Sequence, residues 1–258
     1  MELDLTAPRS WKELSPGQLI YISWLMTSRQ LTKEELHTCA FVRFTGIQVL
    51  HKKAGYWLCY HRKRYFTLSP EQALFFCRKF AWLTDSIGEV TPLPKLKGVA
   101  HHDARLRGLP FIQYISCESY YQAFIHTKDE KYLNCLIASF YLGEEKFDDR
   151  LTQERAVRFQ KLPFHIRHTV FLWYYGLKSV FQTQFPYLFQ KVEYAAEEEP
   201  QAPDMRGQIN SMVRSLTGGD ITKTDAIYQI DTWTALAELN AKALEYKEME
   251  NRMKKYKK

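Results

Sequence analysis

The chain has 258 residues, 45% of them hydrophobic and 15% aromatic, which is enough for one sizeable core or two small ones and excludes a disordered tail or a disulfide miniature. Its net charge of +7, from 36 Lys and Arg against 29 Asp and Glu, lies mostly in the N-terminal part; it permits nucleic-acid or acidic-partner binding, is far milder than the clustered stripes of dedicated binders, and by itself decides nothing. Five isolated cysteines, Cys39, Cys59, Cys77, Cys117 and Cys135, argue for a reducing compartment and against a zinc ribbon or secreted framework.

Charges run through the first fourteen residues, so no secretory leader is expected. The longest apolar run, residues 170–177, is far short of the roughly 20 residues that span a bilayer. A soluble cytoplasmic protein without a membrane contact is the expectation.

In the opening third, Ser15-Pro16 supplies an N-cap and a first-turn proline for a helix whose Leu19, Ile20, Ile22, Ser23, Leu25 and Met26 fit one broad buried face. Thr32 with Glu35, and Ser69-Pro70 with Gln72, are capping boxes that predict helices through about Phe44 and about Leu83. Between them, residues 47–66 carry two segments rich in Ile, Val, Tyr, Trp and Phe around Ala54-Gly55 and predict one small β-hairpin. Pro92, Pro94, Gly98, Gly108 and Pro110 interrupt any period over residues 85–110, a long irregular connection that suggests a boundary.

Helices are then predicted over 116–126, 129–142, 152–161 and 164–185, the last carrying Ile166, Val170, Trp173, Leu177 and Val180 on one face and ending before Pro186. Residues 193–204 hold five acids, no Lys or Arg and two prolines, the composition of a solvated linker. After it, a short helix over 205–216, a turn at Gly218-Gly219-Asp220 and a long helix capped by Thr222 or Thr224 and reaching about Met253 make a helix-turn-helix module. Ile227, Ile230, Trp233, Leu236, Leu239, Ala243 and Tyr246 form a narrow stripe along it, as in a seam presented to another helix. The fold class is therefore mainly α with one small β-hairpin. Its segments are 1–110, N-terminal helices with the hairpin; 111–192, a helical domain; 193–204, an acidic linker; and 205–258, a C-terminal helical module.

Few residues suggest chemistry. There is no glycine-rich phosphate loop, G-x-S-x-G elbow or H-E-x-x-H motif, and Gly218-Gly219 reads as a helix-to-helix turn. His165 and His168 lie three apart on a helix without a third ligand on that turn, and His101, His102 and Asp103 sit in the irregular connection; both groups read as packed or exposed polar residues. Glu144, Glu145, Asp148 and Asp149 read as a solvated turn lacking the glycine of a calcium loop. No enzyme activity, catalytic residue, metal or cofactor is expected.

Two surfaces are candidates for binding. In the hairpin, His51, Lys52, Lys53, His61, Arg62, Lys63 and Arg64 interleave with Tyr56, Trp57, Tyr60, Tyr65 and Phe66, so phosphate-pairing cations and stacking rings could share a surface. A single hairpin places Tyr56, Leu58, Tyr60, Arg62 and Arg64 on one face and Trp57, Cys59, His61, Lys63 and Tyr65 on the other, with rings packing on helices and cations solubilising an edge. A solvated basic hairpin is the expectation, and nucleic-acid contact through Lys52, Lys53, Arg62, Lys63 and Arg64 is the alternative. The C-terminal stripe is the preferred contact surface: a helix pair this small cannot bury it alone, so Trp233, Leu236, Leu239 and Tyr246 are expected to dock on a partner, a second copy or the chain's own globular part.

The tail segments Met205-Arg-Gly-Gln-Ile-Asn, Leu216-Thr-Gly-Gly-Asp-Ile-Thr and Asp231-Thr-Trp-Thr-Ala-Leu-Ala-Glu-Leu-Asn resemble the ends of tail-region proteins of Bacteroides-type prophages. Arg155-Ala-Val-Arg-Phe, Leu162-Pro, Phe171-Leu-Trp-Tyr and Phe185-Pro-Tyr-Leu-Phe in the middle, and Trp11-Lys-Glu-Leu-Ser with Gln18-Leu at the start, resemble the same group. The likeness spans most of the chain. It implies a phage protein acting among tail proteins, similar in outline to the tail assembly chaperones that coat the aggregation-prone tape measure protein. The implied partners are the tape measure protein, other tail proteins or a second copy, in the host cytoplasm or the virion. No motif of the group brings a binding residue with it.

Overall fold

The computed structural model describes residues 7–53, 55–189 and 204–256. In chain order the elements are α1 (Pro16–Ser28), α2 (Lys33–Thr45), β1 (Gln48–Lys53), β2 (Tyr56–His61), β3 (Arg64–Leu68), α3 (Pro70–Arg78) and α4 (Trp82–Asp85). There follow β4 (Lys95–Leu96), β5 (Val99–Ala100), α5 (Phe111–Thr127), α6 (Glu130–Phe140), α7 (Asp149–Ala156) and α8 (Phe164–Gln184). The last are α9 (Met205–Thr217), α10 (Thr224–Gln229) and α11 (Thr232–Tyr256). The chain is mostly helical, as expected, and divides into two compact units, one of Met1–Pro92 with Pro163–Gly176, the other of Leu93–Leu162 with Leu177–Lys258. This is not the consecutive four-segment division the composition suggested, because α8 belongs to both units and the C-terminal helices belong with residues 93–162.

In the first unit, local chemistry sets the helix starts. α1, α2 and α3 each begin at a capping box, in which the hydroxyl of Ser15, Thr32 or Ser69 accepts the N–H three residues on and Gln18, Glu35 or Gln72 accepts from the cap's own N–H. Gly46 closes α2 in the left-handed conformation, φ 70°. Between α2 and α3 the chain makes three antiparallel strands in the order β1-β2-β3, one more than the expected hairpin. Trp11, Ile22, Leu25, Phe41, Phe80 and Leu83 are buried together with Cys59 and Leu68 of the sheet. The Trp11 indole N–H donates to the carbonyls of Trp82 and Ser86 at 3.2 and 3.0 Å. The first turns of α8 join this unit, where Ser23 donates to the His165 carbonyl at 2.6 Å. A Cβ at Gly176 would lie 2.2 Å from the Gly88 carbonyl oxygen, so the backbone approaches too closely there for any other residue.

In the second unit α5 packs on α6 and α6 on α7, and α9, α10 and α11 all pack on α5. α5 starts at Phe111, five residues before the expected position, directly after Pro110. α7 starts after Asp148, whose carboxylate accepts from Arg150 N at 2.9 Å. The expected long C-terminal helix is broken. Ile230 is extended, ψ 156°, and the chain restarts with Asp231 accepting from Thr234 N at 3.0 Å. The break is pinned to the segment before α5: Phe111 N donates to Ile230 O at 2.9 Å, Thr232 N to Leu109 O at 2.8 Å, and Gly108 N to the Asp231 carboxylate at 2.6 Å. The acidic linker expected at 193–204 lies outside the described residues except for Asp204, which caps α9 by accepting from Gly207 N at 2.9 Å. No helix among the described residues is long and apolar enough to cross a membrane.

Candidate functional site

The meander changes the reading of the basic segment. β2 and β3 are joined by Arg62 and Lys63 alone, with His61 paired to Arg64 across them. Both turn residues have positive φ, 45° and 65°, the backbone of a two-residue hairpin turn that matches the twist of the strands. The register therefore pairs Tyr60 with Tyr65 and puts them on one face; a strand running on through Arg62 would have separated them.

Cross-strand partners share a face, so Trp57, Leu68, Cys59, Phe66 and Val49 form the inner side. There Trp57 lines a cleft of about 370 Å³ with His37 and Thr38 of α2 and Ala73 and Cys77 of α3, and the Lys52 ammonium stacks 4.1 Å from the Trp57 ring centre. The outer side carries Lys53 with Tyr56, His51 with Leu58 and Thr67, and Gln48 with Tyr60 and Tyr65. Tyr65 is 68% exposed and Tyr56 38%, and the Tyr60 and Tyr65 ring centres are 5.0 Å apart. Leu50, at the bulge in β1, adds a 52% exposed apolar side chain. Of the five expected nucleic-acid residues, Lys53 lies on the outer face, Arg62 and Lys63 at its end, Arg64 opposite His61 on the other face, and Lys52 on Trp57. The rings that complete the outer face were not separable by sequence, since Arg62-Lys63 carries no glycine, asparagine or aspartate to mark a turn.

The C-terminal stripe has a different fate. Leu236 and Leu239 are buried in the second unit, as is Ala235. Trp233 donates its indole N–H to the Arg105 carbonyl at 2.6 Å, meets Phe181 and Phe185 with ring centres 5.9 and 5.3 Å away, and is covered by the Arg107 guanidinium at 4.9 Å. Asn240 accepts from the N–H groups of Tyr187 and Leu188. Of the coverings the sequence left open for the stripe, Trp233, Leu236 and Leu239 take the chain's own globular part. The physical reason is the pinned break, which turns α11 onto the helices before it. Tyr246 differs, at 72% exposed, and every residue from 245 to 255 is exposed.

The polar clusters have structural roles. His101 stacks on Phe140 with ring centres 5.3 Å apart, and its Nδ1–H donates to the His102 carbonyl. Burial, followed by the neighbouring His101, holds His102 below the usual histidine value. Asp103 accepts from Arg105 N and Arg107 N, fixing the loop that holds Trp233. His168 is packed between Phe164 and Phe171, its Nδ1–H donating to Ser23 Oγ at 3.0 Å, and burial pushes it down to about 4. Gly218 is the left-handed cap of α9, φ 64°. Glu145 pairs with Arg155 and Arg158, and Asp149 accepts from Ser116 Oγ at 2.8 Å. No group of three or more His, Cys, Asp or Glu placed to hold a metal ion occurs among the described residues.

Compared with known proteins, the chain matches no family model, no curated protein and no solved structure.

Proposed function

We propose that this is a non-enzymatic phage assembly protein that works by holding other proteins, with the exposed end of α11 as its contact surface. The observation that supports the reading is the continuation of the α11 stripe beyond its buried part. With Ala243 between, Tyr246, Met249 and Met253 continue Leu236 and Leu239 at spacings of three and four and are 72%, 55% and 57% exposed. Such a line is the seam of a helix pair, and methionine suits a partner surface that must adapt. Residues 245–255 extend the seam for about 16 Å at ~1.5 Å per residue. Ion pairs Glu248–Arg252 and Glu250–Lys254 support the helix beside it. The partner that fits is a long amphipathic helix, and the resemblance to prophage tail-region proteins makes a tape measure protein the first choice.

The test is co-expression with the long helical protein encoded in the same tail region. Co-purification that is lost in Met249→Glu with Met253→Glu, at unchanged melting temperature, is the expected result. Absence of a complex, or a complex indifferent to both changes, overturns the proposal.

A further inference from the structure

We infer that the outer face of the β1-β2-β3 meander is a binding platform for single-stranded nucleic acid, with bases stacking on Tyr56, Tyr60 and Tyr65 and phosphates held by His51, Lys53, Arg62 and Lys63. This surface lies in the first unit and is independent of the α11 seam.

Three observations carry it. The first is charge: residues 48–68 contain five Lys or Arg, no Asp and no Glu, so every ionic group on the sheet has the sign that phosphate requires. The second is the ring arrangement. Tyr60 and Tyr65 are cross-strand partners 5.0 Å apart at 50°, and Tyr56 lies on the same face of β2 about 13 Å along the strand at ~3.3 Å per residue. Flat rings set on a rigid strand offer their faces to unstacked bases, and this preference is indifferent to base identity because every base has a π-face. The third is the turn. Placing Arg62 and Lys63 at positive φ puts two cations at one end of the ring row, while His51 and Lys53 stand beside it on β1.

Single strands are the occupant because a base inside a duplex has no free face for a tyrosine, and the row of rings would gain nothing from duplex DNA beyond its charge. An acidic protein would satisfy the cations and leave the rings without flat partners.

The experiment is fluorescence anisotropy of the full chain with labelled oligothymidine, oligouridine, a duplex of equal length and polyglutamate, across salt concentrations. The expected result is binding to both single strands over the duplex and polyglutamate. Contacts to three or four phosphates, at a slope of roughly 0.7 each, would weaken it by roughly 20- to 50-fold between 50 and 200 mM salt. Tyr65→Ala weakens binding by roughly tenfold with the salt slope unchanged, and Tyr65→Phe, which keeps the ring, retains it. Lys53→Glu with Lys63→Glu lowers the slope by about 0.7 for each site. Tyr65 is exposed, so these variants fold, and circular dichroism checks it. No binding at low salt, equal binding of polyglutamate, or binding that responds to the lysine changes and ignores Tyr60→Ala with Tyr65→Ala overturns the inference, the last two by reducing the face to a plain anion surface.

Discussion

The outer face of the meander and the first half of the α11 stripe are built from the same kinds of residue, large rings and aliphatic side chains at regular spacing with cations nearby. In the stripe, Trp233 is closed over by Phe181, Phe185 and the Arg105–Arg107 loop, and Leu236 and Leu239 are buried. On the meander, Tyr56, Leu50 and Tyr65 keep 38%, 52% and 68% of their surface in water. The difference lies in what the backbone brings opposite. Backbone hydrogen bonds pin the start of α11 to Leu109 and Phe111, so its apolar side meets a core, whereas α2 and α3 line the inner side of the sheet and, among the described residues, Tyr56 and Tyr65 on the outer side stay exposed. Periodicity identifies an apolar face and is silent on what covers it.

The largest effect that separates the two surfaces is on stability. Leu236→Ala should cost about 3–4 kcal/mol of unfolding free energy in urea, through lost burial and the cavity left behind, and Tyr65→Ala less than about 0.5 kcal/mol. Deleting residues 205–258 should leave an aggregating remainder, because α5 then loses three packed helices; recovery of a monomeric, cooperatively melting fragment would show instead that the C-terminal helices are dispensable to the rest. Next comes acid. His168 is held near 4 when folded and titrates near 6.5 when exposed, so the unfolded chain takes the proton first. The stability gained by keeping it neutral is complete above about pH 6.5 and is lost as pH falls toward 4, by about 3 kcal/mol. His168→Phe should flatten the dependence of urea midpoint on pH in that window, and an unaltered slope would assign it to other groups. A smaller effect belongs to the break that starts α11: Asp231→Ala removes the acceptor for Thr234 N and Gly108 N and should cost about 1–2 kcal/mol, read as a lowered Tm.

How far the sequence can be read follows the range of the interactions involved. The capping boxes at Ser15, Thr32 and Ser69 are satisfied within three residues, and all three helix starts stand where local chemistry puts them. The sheet was half legible: Gly55, with φ 114°, marks the first turn, whereas Arg62-Lys63 gives no turn signal and hides β3. With β3 hidden, the face shared by Tyr60 and Tyr65 was hidden too. The break at Ile230–Asp231 was masked by a helical period that runs through Ile227, Ile230 and Trp233, and its cause lies more than 120 residues upstream. Asp231 with Thr234 is a capping signal in retrospect, buried inside a periodic run. The stripe itself was found, and only its occupant was unread.

The pinned break also sets a timetable for synthesis. Gly108 reaches Asp231 across 123 residues and Arg105 reaches Trp233 across 128, so the second unit is a structure of distant pairings and closes slowly. When residue 162 has been added to the chain, α5, α6 and α7 are all present and the residues that cover α5 have yet to be made. Reaching Trp233 takes a further roughly 4–14 s at ~5–20 residues per second. For that interval the nascent protein carries an open apolar wall, and the yield of soluble product becomes a matter of elongation speed as much as of final stability.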